Sequence, residues 1–236
     1  MNVLALDTSA VTASCALINE KGILAQSELR NGLTHSQTIL PLVTDMLKNS
    51  HISLDEIDVL AVNVGPGSFT GVRIGVAAVK GLAFTRNIPC AAVSTLESMV
   101  YPLAGLPISG IVCTVMDARR GQVYNALFSV EGGSVQRVTP DRAISIEDLK
   151  KELENTKKSV FLVGDGADLC YNALQPIAIP LTVAPDPLKY QHAVGAALVA
   201  LQLYEKGETC PAEQLIPVYL RLSQAERELK AKQNAE

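Results

Sequence analysis

The feature that most restricts how this chain can fold is an order of elements that occurs twice. Residues 2–7, 13–18 and 23–29 read as three successive strands, the last two joined by a tight Glu20-Lys21-Gly22 turn. Then come a helix over 34–48, an apolar strand at 58–64, a helix opening at Ser68 and running to about Arg86, a strand at 90–94, and a helix from Thr95 that fades near Pro102. The order returns with strands at 111–118, 123–130 and 134–143, a helix at 146–154, a strand at 159–163, a helix at 167–174, a strand at 181–183, and a long helix at 189–205. Two consecutive βββαβα units predict an α/β architecture of two lobes with a cleft between them. Only the order repeats, and the residues hardly do. Pro102, Gly105 and Pro107 mark 103–109 as the hinge. The expected division is an N-terminal lobe at 1–104, a C-terminal lobe at 105–222 and a polar helical tail at 223–236, rich in Glu, Lys, Gln and Ala.

A chain of 236 residues, 48% hydrophobic and 19% charged, buries a sizeable core and reads as globular. Its formal net charge of −4 does not draw in a phosphate backbone over long distances, so any role on RNA calls for a partner's basic surface. The five cysteines are odd in number and scattered, with no CxxC pair, and at least three lie in apolar strand-like runs. They read as buried reduced thiols of a reducing compartment. The start MNVLALDTSA lacks the basic region of a signal peptide, and the apolar run 194–201 falls far short of the roughly 20 residues that span a bilayer. The expectation is a soluble cytoplasmic protein away from membranes.

Candidate chemistry concentrates in three places. Asp7-Thr8-Ser9 and Asp117-Ala118-Arg119-Arg120-Gly121 each lie between two strands, at corresponding points of the two units. Actin-like and sugar-kinase-like folds keep phosphate loops at such points, which makes Asp7 and Asp117 candidate nucleotide or anion contacts. Asp7-Thr8-Ser9 has no glycine to let a phosphate approach the backbone, so a plain turn is the preferred reading. Gly65-Pro66-Gly67-Ser68-Phe69-Thr70-Gly71 joins an apolar strand to a helix start, where anions bind readily, and adds Gly67 and Ser68 as candidates. It is not a Walker loop, and a tight turn with close helix packing is preferred. His35, His51 and His192 lack helical metal spacing, and no nucleophile–base pair can be assembled, so no catalytic residue, metal ligand or cofactor is expected.

The helix after that loop carries Val72, Ile74, Val76, Ala77, Ala78, Val79, Leu82 and Ala83, with only Arg73 and Lys80 charged. A helix apolar nearly all round needs cover on both sides. Gly71 and Gly75, and Ala77 and Gly81, are spaced four apart and let another backbone come close. The preceding helix is also broadly apolar, with Leu40, Val43 and Leu47 on one side and Ile39, Leu42 and Met46 on others. A lobe of about a hundred residues favours a partner surface over complete burial. Its expected residues are Ile39, Leu40, Val43, Leu47, Val72, Gly75, Val76 and Val79.

These segments resemble the TsaB family of bacterial tRNA threonylcarbamoyladenosine synthesis. The resemblance is carried by 4–9, His35-Ser36, the glycine segment through Gly75, Val93-Ser94-Thr95-Leu96-Glu97, 117–124, Gly164-Asp165-Gly166 and Pro217-Val218-Tyr219-Leu220-Arg221. It implies the two-lobed fold of the actin, hexokinase and Hsp70-like superfamily, called ASKHA. It further implies a non-catalytic subunit that pairs with the catalytic paralogue TsaD through the two apolar helices. A small ATPase, TsaE, joins the pair, tRNA is engaged through the complex, and the same surface makes a homodimer in isolation. The alternative from another class is an ATPase or kinase-like enzyme using the cleft; a metallopeptidase is disfavoured for want of ligand spacing.

Overall fold

The computed structural model describes residues 1–221, and the tail expected at 223–236 lies outside the described residues. Strands β1 (Val3–Asp7), β2 (Ala13–Asn19), β3 (Gly22–Leu29), β4 (Val59–Gly65) and β5 (Cys90–Ser94) form a first sheet in the order β3-β2-β1-β4-β5. The second sheet is built from β6 (Gly110–Asp117), β7 (Gln122–Glu131), β8 (Ser134–Arg137), β9 (Arg142–Ser145), β10 (Val160–Val163) and β11 (Leu181–Val183). Its order is β11-β10-β6-β7-β8, with β9 also on β7. Read from the β8 end, it matches the first sheet strand for strand. In each, the first strand pairs antiparallel with the second, β1 with β2 and β6 with β7, and parallel with a later one, β1 with β4 and β6 with β10. The duplicated order is therefore a duplicated topology, and the chain is an α/β protein of two sheets.

Central strands β1 and β4 are buried along their whole length, as expected of runs covered on both faces. Helices α1 (His35–Ser50) and α2 (Phe69–Phe84) cover the outer face of the first sheet, where Ile39, Val43, Met46, Val72, Val76 and Val79 meet Leu4, Leu6, Leu60 and Val62. Helices α4 (Ile146–Thr156) and α5 (Ala167–Leu174) cover the outer face of the second.

The inner faces are covered by exchange. Helix α3 (Thr95–Ser98) and the turn Tyr101–Leu103 follow the first sheet in sequence. Their Leu96, Met99, Val100 and Leu103 nevertheless pack with Val112, Met116 and Phe128 of the second. Helix α7 (Ala193–Glu205) follows the second sheet but lays Ala193, Ala196, Ala197 and Ala200 against Val3, Ala5, Val59 and Val93 of the first. The two cross where a β-carbon on Gly195 would stand 1.8 Å from the Ser98 carbonyl oxygen. The expected division at 104/105 is thus corrected: α7 and the stretch from Cys210 to Val218 return to the first sheet.

Two expected elements are each split. The strand at 134–143 breaks around Pro140, which has no N–H for the ladder. The helix at 189–205 is α6 (Asp186–Lys189) and α7, separated by residues 190–192, whose Gln191 and His192 side chains turn to Asp165 and Glu28.

Helix α2 seats its first turns directly on the loop after β1. A β-carbon at Gly71 would lie 2.1 Å from the Thr8 carbonyl oxygen, and one at Gly75 would lie 2.5 Å from Thr8 Oγ1. Gly81, on the same helix, has open space around it. Gly71→Ala or Gly75→Ala is therefore expected to lose about 1–3 kcal/mol through forced displacement of the Thr8 loop. Gly81→Ala is expected to gain about 0.5–1 kcal/mol from helix propensity. Urea midpoints of the three variants check both signs.

Candidate functional site

Two surfaces gather the candidate residues: a cleft between the sheets and the outer side of α1 and α2. The cleft, about 590 Å³, is walled by Ser9–Val11 after β1, Pro66–Phe69 at the start of α2, Met116–Arg120 at the turn between β6 and β7, and Val218–Arg221. Gly67, Ser68 and Asp117, the other candidate anion contacts, line it. Asp7 does not, which corrects its placement. Its carboxyl is fully buried beneath the floor, with Oδ1 accepting from the Ser9 N–H at 2.8 Å and Oδ2 without a partner.

The glycine segment closes that floor. The Ser68 N–H donates to the Ser9 carbonyl at 2.7 Å, and a β-carbon at Gly67 would stand 2.4 Å from the same oxygen. The Ser68 hydroxyl in turn accepts from the Gly71 N–H at 3.2 Å and caps α2. The loop that would cradle a phosphate in a nucleotide-binding relative is covered by this chain's own backbone, the close packing preferred from the sequence.

On the opposite wall, Arg119, Arg120 and Gly121 all have positive φ, at 63°, 58° and 70°. The turn is held by the Arg119 N–H donating to Asp117 Oδ1 at 2.7 Å. Arg221 donates from Nη1 to the Ala118 carbonyl. Three arginines thus stand with Asp117 and Asp165 along a cleft of mixed charge. Burial pushes the Asp165 carboxyl up from its ordinary value, while a 3.0 Å hydrogen bond donated by Gln191 Nε2 opposes the shift. Among the described residues, no group of three or more His, Cys, Asp and Glu side chains is placed to hold a metal ion, and no helix is long and apolar enough to cross a membrane.

The expected interface residues divide unevenly. Ile39, Val43, Val72, Gly75, Val76 and Val79 lie inside this chain's own core and cannot meet a partner. Leu40 is 44% exposed and Leu47 half-buried. The reason is periodic: 72, 75, 76, 79 and 83 form the stripe that faces the sheet, so the outward stripe is its complement, Thr70, Arg73, Ala77, Gly81 and Phe84. Phe84 is 79% exposed. Arg73 folds back, its guanidinium 3.8 Å from the Phe69 ring centre and its Nε donating to Tyr219 Oη at 2.8 Å. Lys80 donates to the Glu213 carbonyl at 3.3 Å. Phe84, Tyr219 and Arg221 were absent from the expected site, although complementing the buried stripe finds the first of them.

Comparisons with known proteins bear directly on this arrangement. The family model described as "TsaD: tRNA N6-adenosine threonylcarbamoyltransferase" matches residues 29–229. A relative in Escherichia coli, described as tRNA threonylcarbamoyladenosine biosynthesis protein TsaB, is 33% identical, with 99% of this chain and 100% of the relative covered. This chain belongs to the TsaB family. Among solved structures, YeaZ from Pseudomonas aeruginosa superposes with a TM-score of 0.80 at 30% identity, covering 93% of this chain and 99% of that one. The ROK hexokinase of Thermus thermophilus superposes with a TM-score of 0.50 at 12% identity, covering 86% and 100%. It shows the ASKHA fold alone. The curated relatives of that family are described as tRNA threonylcarbamoyladenosine biosynthesis proteins.

Burial raises the Asp7 pKa, against lowering contributions from hydrogen bonds to Ser9 and Asn63 and from His192. An acid whose pKa is higher in the folded state binds more protons there than in the unfolded chain. Stability from this group is therefore full below the ordinary aspartate pKa and declines as pH rises from there toward the folded value. Asp7→Asn removes that decline. Denaturation across pH 4–8 is expected to show the variant gaining on the parent as pH rises.

Proposed function

We propose that this chain is a non-catalytic subunit of the threonylcarbamoyl-transfer machinery. It pairs with a TsaD-like catalytic paralogue and works with a TsaE-like ATPase, meeting tRNA through the assembly. The observation that carries this reading is the outer side of α2. Both cations of that helix are turned onto the segment after Cys210, leaving an uncharged stripe of Ala77, Gly81 and Phe84. Half-buried Ile74 and Ala78 border it, and Leu40 on the neighbouring α1 is also exposed. Small residues let a facing helix approach, and Phe84 offers a large apolar anchor of the kind that dominates interfaces. Gly81 points the same way, since it costs helix stability and no neighbour among the described residues requires it.

The same stripe suits self-association of the isolated chain, which would then compete with the paralogue. The enzyme reading, a nucleotide turned over in the cleft, is weakened by the sealing of the Asp7–Ser9 loop and the burial of Asp7. Asp7, the acidic group of the first loop, cannot reach a magnesium-bound nucleotide there, although Asp117 and Asp165 line the cleft.

Titration calorimetry of the purified chain with its TsaD-like paralogue tests the proposal. Ala77→Glu and Phe84→Asp are expected to weaken the pair at least tenfold, about 1.4 kcal/mol or more, while leaving the melting temperature of the isolated chain nearly unchanged. Val79→Glu and Gly75→Arg are unsuitable, because they would disrupt the core first. Undiminished affinity in both surface variants, or magnesium-dependent ATP hydrolysis by the chain alone, would overturn it.

A further inference from the structure

Cys90 closes the inner strand of a contact that the function above does not use. It lies on β5, the edge of the first sheet, and among the described residues its backbone partner on the side away from β4 is Cys210. The two residues exchange both backbone hydrogen bonds, Cys90 N–H to Cys210 O and Cys210 N–H to Cys90 O, each 2.8 Å. Residues paired this way have α-carbons about 5.5 Å apart, inside the range of about 4.4–6.8 Å that a disulfide spans. Directly opposed side chains of an antiparallel pair leave the backbone on the same face, with β-carbons about 5.5 Å apart in a hydrogen-bonded pair. A disulfide wants about 4 Å, so an approach of the two backbones by about 1–2 Å is needed. Cys210 can supply it, because the bridge is isolated and no ladder on either side fixes its position.

We propose that Cys90 and Cys210 form a reversible dithiol–disulfide pair. A low-molecular-weight disulfide is the oxidant. Half-exposed Cys210, as thiolate, attacks one sulfur of the reagent, breaking its S–S bond and releasing one thiol. Cys90 then loses its proton and attacks the Cys210 sulfur, forming the internal bond and releasing the second thiol. Two cysteine thiols and one disulfide become one internal disulfide and two small thiols, with two electrons passed to the reagent.

Access orders the steps. Cys90 is 0% exposed and Cys210 is half-buried, so the reagent meets Cys210 first and Cys90 only resolves the mixed disulfide. Burial pushes both thiols up, Cys90 to about 12, while the Lys80 ammonium draws each the other way. Reaction is therefore slow at neutral pH and faster in mild alkali. Cys15, Cys113 and Cys170 are fully enclosed and serve as internal controls.

The bond would fix the origin of the segment 211–221. That segment crosses α2, with Lys80 on the Glu213 carbonyl and Val218 N–H on the Val64 carbonyl at 2.7 Å, and ends with Arg221 on the opposite wall of the cleft. In the dithiol form, two backbone hydrogen bonds at Cys210 and the packing of Ala212 and Leu215 into the core hold its start.

The test treats the full chain with excess oxidised glutathione at mildly alkaline pH, followed by intact-mass and peptide analysis. The expected product has lost two hydrogens, contains a linked Cys90–Cys210 peptide and reverts with dithiothreitol. Amide exchange in 211–220 should slow at least about threefold on oxidation. Cys210→Ser should abolish both the mass loss and the slowing. A stable glutathione adduct on Cys210 with Cys90 still free, a linkage through any other cysteine, or an unchanged mass after prolonged exposure would each overturn the proposal.

Discussion

The contact on which the rest of the molecule depends is the seating of α2 on the loop after β1. Thr8 donates from Oγ1 to the Gly71 carbonyl at 2.7 Å, and the glycines at 67, 71 and 75 put no side chain of their own between the helix start and the loop. One consequence is the rotation of α2 about its own axis, which decides that Val72, Val76 and Val79 face the sheet and that Ala77, Gly81 and Phe84 face outward. Another is the enclosure of Asp7. A third is the shape of the cleft, whose floor is this junction. The glycines look like a phosphate loop in one dimension and act as a packing device in three.

The exchange of inner helices explains why two similar halves behave as one body. A sheet of this kind needs cover on both faces, and each half carries its own outer pair. The inner faces are covered by the other half's last helix, with α7 on the first sheet and α3 with its following turn on the second. Neither half would bury its inner strands alone. The small residues of α7 permit this: at Gly195 the helix touches the Ser98 carbonyl, and alanines at 193, 196, 197 and 200 keep the layer thin.

Much of this was legible in the sequence, and what was not has a common cause. Strands and helices follow from local periodicity, so the repeated order could be read directly, to the residue at Cys90–Ser94 and Ala167–Leu174. Periodicity also shows that α2 has apolar residues on more than one side. Nothing local says which side meets the sheet, and Val72, Gly75, Val76 and Val79 were assigned outward although they are the inner stripe. The home of α7 is equally non-local, since a helix apolar all round fits either sheet. Arg221 could be read only as part of a motif, because its partner, the Ala118 carbonyl, is more than a hundred residues away in sequence. Gly67, Ser68 and Asp117 lie on turns, where turn chemistry marks them in the sequence and where the walls of such clefts lie.

The segment from Cys210 to Arg221 links the two surfaces. Arg73 and Lys80 would otherwise place two hydrated charges on the outer side of α2, and desolvating them would oppose any docking there. Tyr219 stacks on Phe69 with ring centres 4.6 Å apart and takes the Arg73 hydrogen bond, so one cation is held over aromatic rings. The Glu213 carbonyl takes the other. The same segment then delivers Arg221 to the far wall of the cleft. A shift of this strand would return charge to the helix face and release the cleft wall together. Tyr219 on Arg73 of α2 and Arg221 on the Ala118–Arg119 turn thus give partner docking and the cleft a direct physical connection.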